Sequence, residues 1–377
     1  MSQVPLRIIH LLRAPVGGLF RCARDLIQGQ IQQGHQVGLI CAHTTTVKTQ
    51  EFLETLRPQL ALGLHQMSIA RSPGWADRAI IRQISQWLAD LSPQIVHGHG
   101  AKGGAYARLA RHTGIRVYTP HGGSLLERPG IWAGLARRFY LAAEGYLGQR
   151  SDLIICESQY CRRILEGDAG VPEAIVRHIP YGLYPHEFYI SSPNSDATDL
   201  VFIGELRSIK GVHVLLKALA HLQAQGKIYS LTVVGDGPER RQLESLAQRL
   251  AIKADFVGAM PAQVGFRLGR LLVIPSLAES LPYIILEALA AQVPTLTTAV
   301  GGIAEIYAPY ADHLIPANDP LILAQAIEKR LAKLPEQTQM LVELQSWVAK
   351  NFQMERMQQQ VMAAYQEALA KKNNLLK

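Results

Sequence analysis

The sequence predicts an α/β protein built from two doubly wound domains, and three observations carry that expectation. Short β-branched runs bounded by turn residues alternate with longer segments of helical period, the pattern of βαβ units around a parallel sheet. This rhythm occurs twice in 377 residues, a length that fits two cores of roughly 100 to 200 residues each. Between the two sets lies ISSPNSDATD at 190–199, poor in large apolar side chains and rich in Ser, Pro, Asn and Asp, as a linker would be.

In the first half the strands are expected at 6–12, 35–41, 94–99, 115–120, 152–156 and 175–180. In the second half they are expected at 199–204, 229–235, 254–258, 270–275, 293–298 and 312–316. Only helical patterns follow, and the last, from Met354 to about Leu369, is long enough to fold back across another domain. The expected domains are therefore 1–188, 198–352 and a C-terminal helix within 353–377 that returns toward the first domain. Two facing domains of this kind align the carboxyl ends of both strand sets along one cleft, where open α/β sheets bind ligands.

The composition, 48% hydrophobic and 18% charged, is that of an ordinary globular protein. The longest apolar runs, LLVIP and YIILEALAA, fall short of the ~20 residues that span a bilayer, so no membrane-crossing helix is expected. The N-terminal IIHLL is interrupted by His10 and followed by Arg13 and Pro15, with no small-residue cleavage site behind it, which argues for a cytoplasmic protein. Cys22, Cys41, Cys156 and Cys161 show neither a CxxC pair nor a metal spacing and read as small buried hydrophobes.

The net charge of +8 is uneven. Residues 1–190 hold 20 Lys+Arg against 13 Asp+Glu, and residues 191–377 hold 18 against 17. Ten basic side chains fall within 71–138: Arg71, Arg78, Arg82, Lys102, Arg108, Arg111, Arg116, Arg128, Arg137 and Arg138, against Asp77, Asp90 and Glu127. A positive face of this kind suits anionic lipid headgroups or phosphorylated substrates. Nucleic acid is not expected, because the basic residues are spread over several elements without a recognisable reading motif.

Three motifs carry chemistry. Gly17 and Gly18 follow the first strand, where glycines allow a close backbone approach and the next helix offers its amides to an anion. FIGELRSIKG at 202–211 repeats that order, and its Arg207 and Lys210 would neutralise a diphosphate without a metal. In ESLPYIILE at 279–287, Pro282 suits the first position of a helix and Ser280 could cap it. Glu279 and Glu287 would then stand about 8 to 12 Å apart along the axis, too far to act as an acid/base pair on one bond and well placed to grip two ends of an extended ligand. His97 and His99 face the same way on a strand, but no third ligand with suitable spacing accompanies them. They are read as strand-end polar groups facing a cleft, with no metal.

GELRSIKG, Glu279 and Glu287 in an E-x7-E arrangement, the following LEA, and Gly301, Gly302 and Glu305 in AVGGIAE together resemble the family-four retaining glycosyltransferases of the GT-B fold, over nearly the whole chain. The resemblance implies a nucleotide-diphosphate sugar, UDP- or GDP-linked, as donor, no cofactor, and a saccharide or lipid-linked acceptor. Glu287 would hold the ribose and Glu279 the sugar hydroxyls. Backbone amides of Ser280, Leu281 and Tyr283 would meet sugar and phosphates, with Pro282 supplying none. Arg207 and Lys210 would hold the diphosphate, Gly17 and Gly18 would close on the donor, His121 in TPHGG would stand beside the sugar, and His99 would lie toward the acceptor. Catalysis would rest on His121 and Glu279, with the leaving phosphate as base. The chain reads Glu205 where relatives often carry Arg, and Ser-Leu-Pro at 280–282 where many read Gly-Phe-Gly. A nucleotide-sugar epimerase or a non-catalytic donor-binding subunit is the alternative.

Overall fold

The computed structural model describes residues 4–375 apart from 45 and 127–130. Two compact units emerge. One holds the described residues within 1–125, 129–181 and 355–377, and the other those within 126–128 and 182–354.

The first unit is built on seven strands: β1 (Arg7–Leu12), β2 (Gln36–Ala42), β3 (Leu64–Met67), β4 (Ile95–His99), β5 (Ile115–Thr119), β6 (Leu153–Cys156) and β7 (Val176–His178). They run parallel in the order β3-β2-β1-β4-β5-β6-β7. Their apolar runs are continuous rather than alternating, because helices cover both faces and every side chain of β1 after Arg7 is buried. Edge strand β3, LHQM, escaped the sequence reading because it lacks the β-branched run that marks its neighbours. The helix Met354–Leu375 belongs to this unit and runs past the expected end at Leu369.

The second unit carries β8 (Thr198–Ile203), β9 (Leu231–Val234), β10 (Ala254–Gly258), β11 (Gly269–Ile274) and β12 (Thr295–Thr297), all parallel, in the order β10-β9-β8-β11-β12. The strand expected at 312–316 does not form. A single bridge between Thr298 and Ile315 is all that pairs there, after a 3-10 segment at Ala308–His313. The stretch read as a linker also proves anchored: the N–H groups of Tyr189, Ser191 and Asn194 donate to the carbonyls of Ala290, Ala291 and Arg267. Its backbone is thus part of the second unit, which begins at Gly182 rather than 198.

In each sheet the chain reverses its direction of winding at one place, between β1 and β4 in the first and between β8 and β11 in the second. Loops diverge at such a point and leave a crevice at the carboxyl ends of the strands. In the second unit the crevice walls touch through their backbones. Gly211, at φ +72°, ends the loop after β8, and a Cβ there would stand 1.9 Å from the Pro275 carbonyl oxygen after β11. Leu277 N–H donates to Ile209 O across the same junction at 2.7 Å. Gly211→Ala combines a left-handed backbone with this overlap and is expected to cost about 3 kcal/mol, read as a lowered thermal midpoint.

Candidate functional site

Around the β8/β11 crevice, Arg207 precedes a short 3-10 turn, Ser208–Lys210, and Gly211 starts the helix Val212–Ala224. Lys210 Nζ donates to Glu279 Oε1 at 2.6 Å, and Ser276 Oγ donates to the same oxygen at 2.8 Å. Glu279 is only 7% exposed, so this carboxylate is held on the spot by one cation and one hydroxyl. The loop beneath it is fixed by Thr298 Oγ1, which donates to Ser276 O, and by Gly302 N–H, which donates to Ser280 O at 2.7 Å. Gly301, at φ +58°, lets the turn close against Glu279: a Cβ would lie 1.7 Å from its carbonyl oxygen. The GG turn therefore serves as a backstop for the acidic loop. Arg207 faces Glu205 at 3.5 Å with both side chains reaching solvent, an arrangement worth little energetically.

Helix Tyr283–Ala290 begins one residue later than expected. Pro282 occupies the N-cap in an extended conformation, and no side chain caps the helix, so Ser280 does not play that part. Ser280, Leu281 and Tyr283 are nearly buried. Glu287 lies a turn inside the helix, where it lines a pocket of about 140 Å³ with Glu187, Tyr189, Pro261, Ala262, Gln263 and Phe266. The two glutamates thus sit in distinct surroundings, one ion-paired and one at a pocket wall.

The first unit places its polar groups at the β1/β4 switch. Alternation along β4 turns His97 and His99 to one face, and the β1–β4 register sets His10 opposite His97. All three are buried, which corrects the reading of His97 and His99 as cleft-facing groups. His10 also supplies the third imidazole that sequence spacing did not reveal: ligand-capable atoms of His10, His97 and His99 lie within 4.8 Å of one another. Their ring nitrogens are nonetheless engaged in hydrogen bonds. His10 meets Gln30 Oε1 and His99, each at 2.8 Å; His97 meets Tyr365 OH at 2.6 Å and Thr119 Oγ1 at 2.8 Å; His99 meets His121 at 3.0 Å. His121 reaches Tyr181 OH at 2.5 Å with its other nitrogen. His99 is therefore enclosed behind His121 and does not face an acceptor directly. Gln30, Tyr181 and Tyr365 come from distant segments and had no sequence signal, whereas His10 was visible as the one polar residue in IIHLL.

His121 itself sits at φ +56° and is followed by Gly122 and Gly123, also at positive φ. A left-handed histidine is uncommon and strained, and such strain concentrates at functional positions. Gly17, at φ +65°, opens the helix Gly17–Gln32, is exposed, and has open space where a Cβ would stand. That helix also delivers Gln30. Desolvation holds all these imidazoles neutral: burial lowers His10 to about 4 and pushes His97, His99 and His121 below the usual histidine range.

The basic face shrinks on inspection. Arg108 is buried, donates to Glu144 Oε2 at 2.8 Å and stacks on Tyr118, which donates to the other Glu144 oxygen. Lys102 is paired with Asp77 and Arg137 with Asp168. Arg128 and Glu127 lie outside the described residues. Exposed cations remain at Arg71, Arg78, Arg82, Arg111 and Arg138.

Both halves of the chain match known family models: residues 16–186 match Glycosyltransferase Family 4, and residues 197–333 match Glycosyl transferases group 1. A protein of Bacillus subtilis named as a teichuronic acid biosynthesis glycosyltransferase, TuaC, is 26% identical over 67% of this chain and 64% of its own, so the chain spans just under two thirds of that relative. Among solved structures, sucrose-phosphate synthase from Thermosynechococcus elongatus superposes with a TM-score of 0.78 at 19% identity, covering 97% of this chain and all of the other. HepE of Anabaena, in complex with UDP-glucose, gives 0.75 at 17% identity, with 96% and 100% covered. At such identities the likeness speaks for the fold.

The buried neutral imidazoles give a prediction with a definite sign. The unfolded chain takes up protons on these rings near pH 6.5 while the folded chain resists until much lower pH, so stability is full above about 6.5 and falls as pH drops toward 4. His10 alone accounts for a loss on the order of 3 kcal/mol across that window. Thermal midpoints recorded between pH 7.5 and 4.5 should decline steeply, and more gently in His10→Asn.

Proposed function

The chain belongs to the GT-B glycosyltransferases of the family-four type, and we propose that it transfers a hexose from a UDP- or GDP-linked sugar, with retention of configuration, to a saccharide or lipid-linked acceptor in surface polysaccharide or glycolipid synthesis. The observation that carries this reading is the Lys210–Glu279–Ser276 group at the β8/β11 switch, the place where an α/β sheet receives its ligand. Lys210 and Arg207 take the departing diphosphate, a contribution that is electrostatic and strongest where charge develops as the glycosidic bond breaks. Without donor, Lys210 is neutralised by Glu279; with donor, its charge is shared with the diphosphate and Glu279 turns to the sugar hydroxyls. Glu287 binds the ribose, and the amides of Ser280, Leu281 and Tyr283 lie along the sugar and phosphates. For the first unit the reading assigns Gly17 and Gly18 to the donor and His121 to a hydrogen bond with the transferred hexose. Retention follows if the leaving phosphate itself accepts the acceptor proton, so no side-chain nucleophile is required.

Two fixed cations at the diphosphate remove the need for a divalent ion, and no cofactor takes part. A panel of nucleotide sugars, screened by thermal stabilisation and then by turnover, identifies the donor. With that donor, Lys210→Ala and Glu279→Ala should each lower kcat by roughly 10²-fold, and EDTA should leave the wild type unaffected. Unchanged turnover in both variants would remove this assignment of roles.

Peripheral attachment to an anionic membrane is part of the proposal. Among the described residues no helix is long and apolar enough to cross a bilayer. Trp75 is 81% exposed, and the Arg78 guanidinium lies 4.5 Å from its ring centre. Arg78, Arg82 and Arg111 line a groove of about 540 Å³. An exposed Trp beside a cluster of arginines suits the interface of an anionic lipid surface. Cosedimentation with vesicles containing 30% anionic lipid, against neutral vesicles, checks this. Binding should weaken at high salt and fall about tenfold or more in an Arg78→Glu/Arg82→Glu double variant, at about 1 kcal/mol per lost basic contact.

A further inference from the structure

Five side chains of the first unit stand in single file: Gln30, His10, His99, His121 and Tyr181. The links are Gln30 Oε1 to His10 Nε2 at 2.8 Å, His10 Nδ1 to His99 Nε2 at 2.8 Å, His99 Nδ1 to His121 Nε2 at 3.0 Å, and His121 Nδ1 to Tyr181 OH at 2.5 Å. Each imidazole spends one nitrogen on each neighbour. His97 lies tilted beside the file, ring centres 4.0 Å from His99, but bonds to Thr119 and Tyr365 instead.

A neutral imidazole carries a single N–H, so the direction of one link dictates the next. With the Gln30 oxygen turned to His10, Nε2 of His10 must be the donor. Its Nδ1 then accepts from Nε2–H of His99, whose Nδ1 accepts from Nε2–H of His121, whose Nδ1 accepts from the Tyr181 hydroxyl. Turning the Gln30 amide to present its NH₂ would reverse every link. A second proton on His10 or His99 would set two N–H groups against each other, and one on His121 would force the Tyr181 hydroxyl to turn and accept. Ile8, Ile9, Leu11 and Leu12 around His10 are fully buried apolar residues, so a polar group at position 10 is expensive to enclose unless each nitrogen finds a partner, and both do.

We propose that Gln30 sets the polarity of this line and thereby the tautomer of His121, which makes Gln30 and His10 positioning residues for the group that serves the transferred sugar. The inference rests on the reading of His121 given above. Gln30 is 2% exposed and acts only through the two intervening rings. Protons are not conducted: the amide end has no acid to release one, and the line holds an orientation.

Ring-nitrogen NMR of the full-length protein labelled with 15N-histidine tests the proposal without any variant. His10, His99 and His121 should each show the Nε2–H form; an Nδ1–H form or a mixture at any of them overturns it. Stoichiometric metal in the purified protein would also overturn it, because a metal takes the lone pairs that the links use. Gln30→Glu, which as a carboxylate accepts without donating, should keep the tautomers and near wild-type turnover at a pH where it is ionised. Gln30→Met, which can do neither, should give mixed tautomers at His121 and lower kcat about tenfold with the donor KM little changed, as loss of alignment rather than of binding predicts. Mixed tautomers with unchanged kcat would overturn the positioning role. His121→Ala separates the two failures: if it too leaves turnover intact, the assignment of His121 has failed, and if it abolishes turnover while Gln30→Met does not, the line has failed.

Discussion

Backbone meets backbone at the carboxyl edge of the second sheet, and the geometry of the acidic loop depends on that contact. Gly211 lies against the Pro275 carbonyl, and Gly301 lies against that of Glu279. Neither position has room for a side chain, so the loops after β8, β11 and β12 are separated by peptide groups alone. Their spacing is then set by covalent geometry and hydrogen bonds such as Leu277 to Ile209 and Gly302 to Ser280, which vary far less than side-chain packing. The short Lys210–Glu279 contact follows from this, because two ionic groups at the ends of separate loops hold a fixed distance only if the loops themselves cannot drift.

The first unit reaches order by a different route. Its polar groups lie beneath the surface, where each nitrogen left without a partner would carry a desolvation cost. The imidazole nitrogens are satisfied by one another, by the Gln30 oxygen, by Thr119 and by two tyrosine hydroxyls, and the same low dielectric that strengthens these links keeps the rings neutral. A few residues away, Arg108 and Glu144 apply the same logic as an ion pair, with the Tyr118 ring against the guanidinium and its hydroxyl donating to the carboxylate. Removing one member of such a pair strands the other in the interior.

Much of this architecture was legible beforehand, and what was not follows a pattern. Eleven of the twelve strands among the described residues coincide with sequence candidates, most of them short apolar runs bounded by turn residues. β3 was hidden because an edge strand needs no such run. The positions of Arg207, Lys210 and Glu279 in loops and of Glu287 inside a helix were readable because the signals are local: a strand end, glycines and a helix start within a few residues. The partners of His99 were not. His10 reaches His99 across 89 residues and Tyr365 reaches the neighbouring His97 across 268, and no periodicity encodes such long-range meetings. Pro282 was placed at the first helical position and lies at the cap because an extended Pro282 continues the preceding loop.

The long reach of Tyr365 has a consequence for the making of the protein. The ribosome delivers the chain from its N-terminus, so all seven strands of the first unit and the whole of residues 182–354 exist before the helix Met354–Leu375 that carries Tyr365. Until that helix emerges, His97 lacks one of its two partners and the face it covers stays wet. The second unit, encoded as an insertion within the first, is complete earlier. Chains halted short of residue 365 therefore carry all of residues 182–354 but lack the segment that completes the first unit.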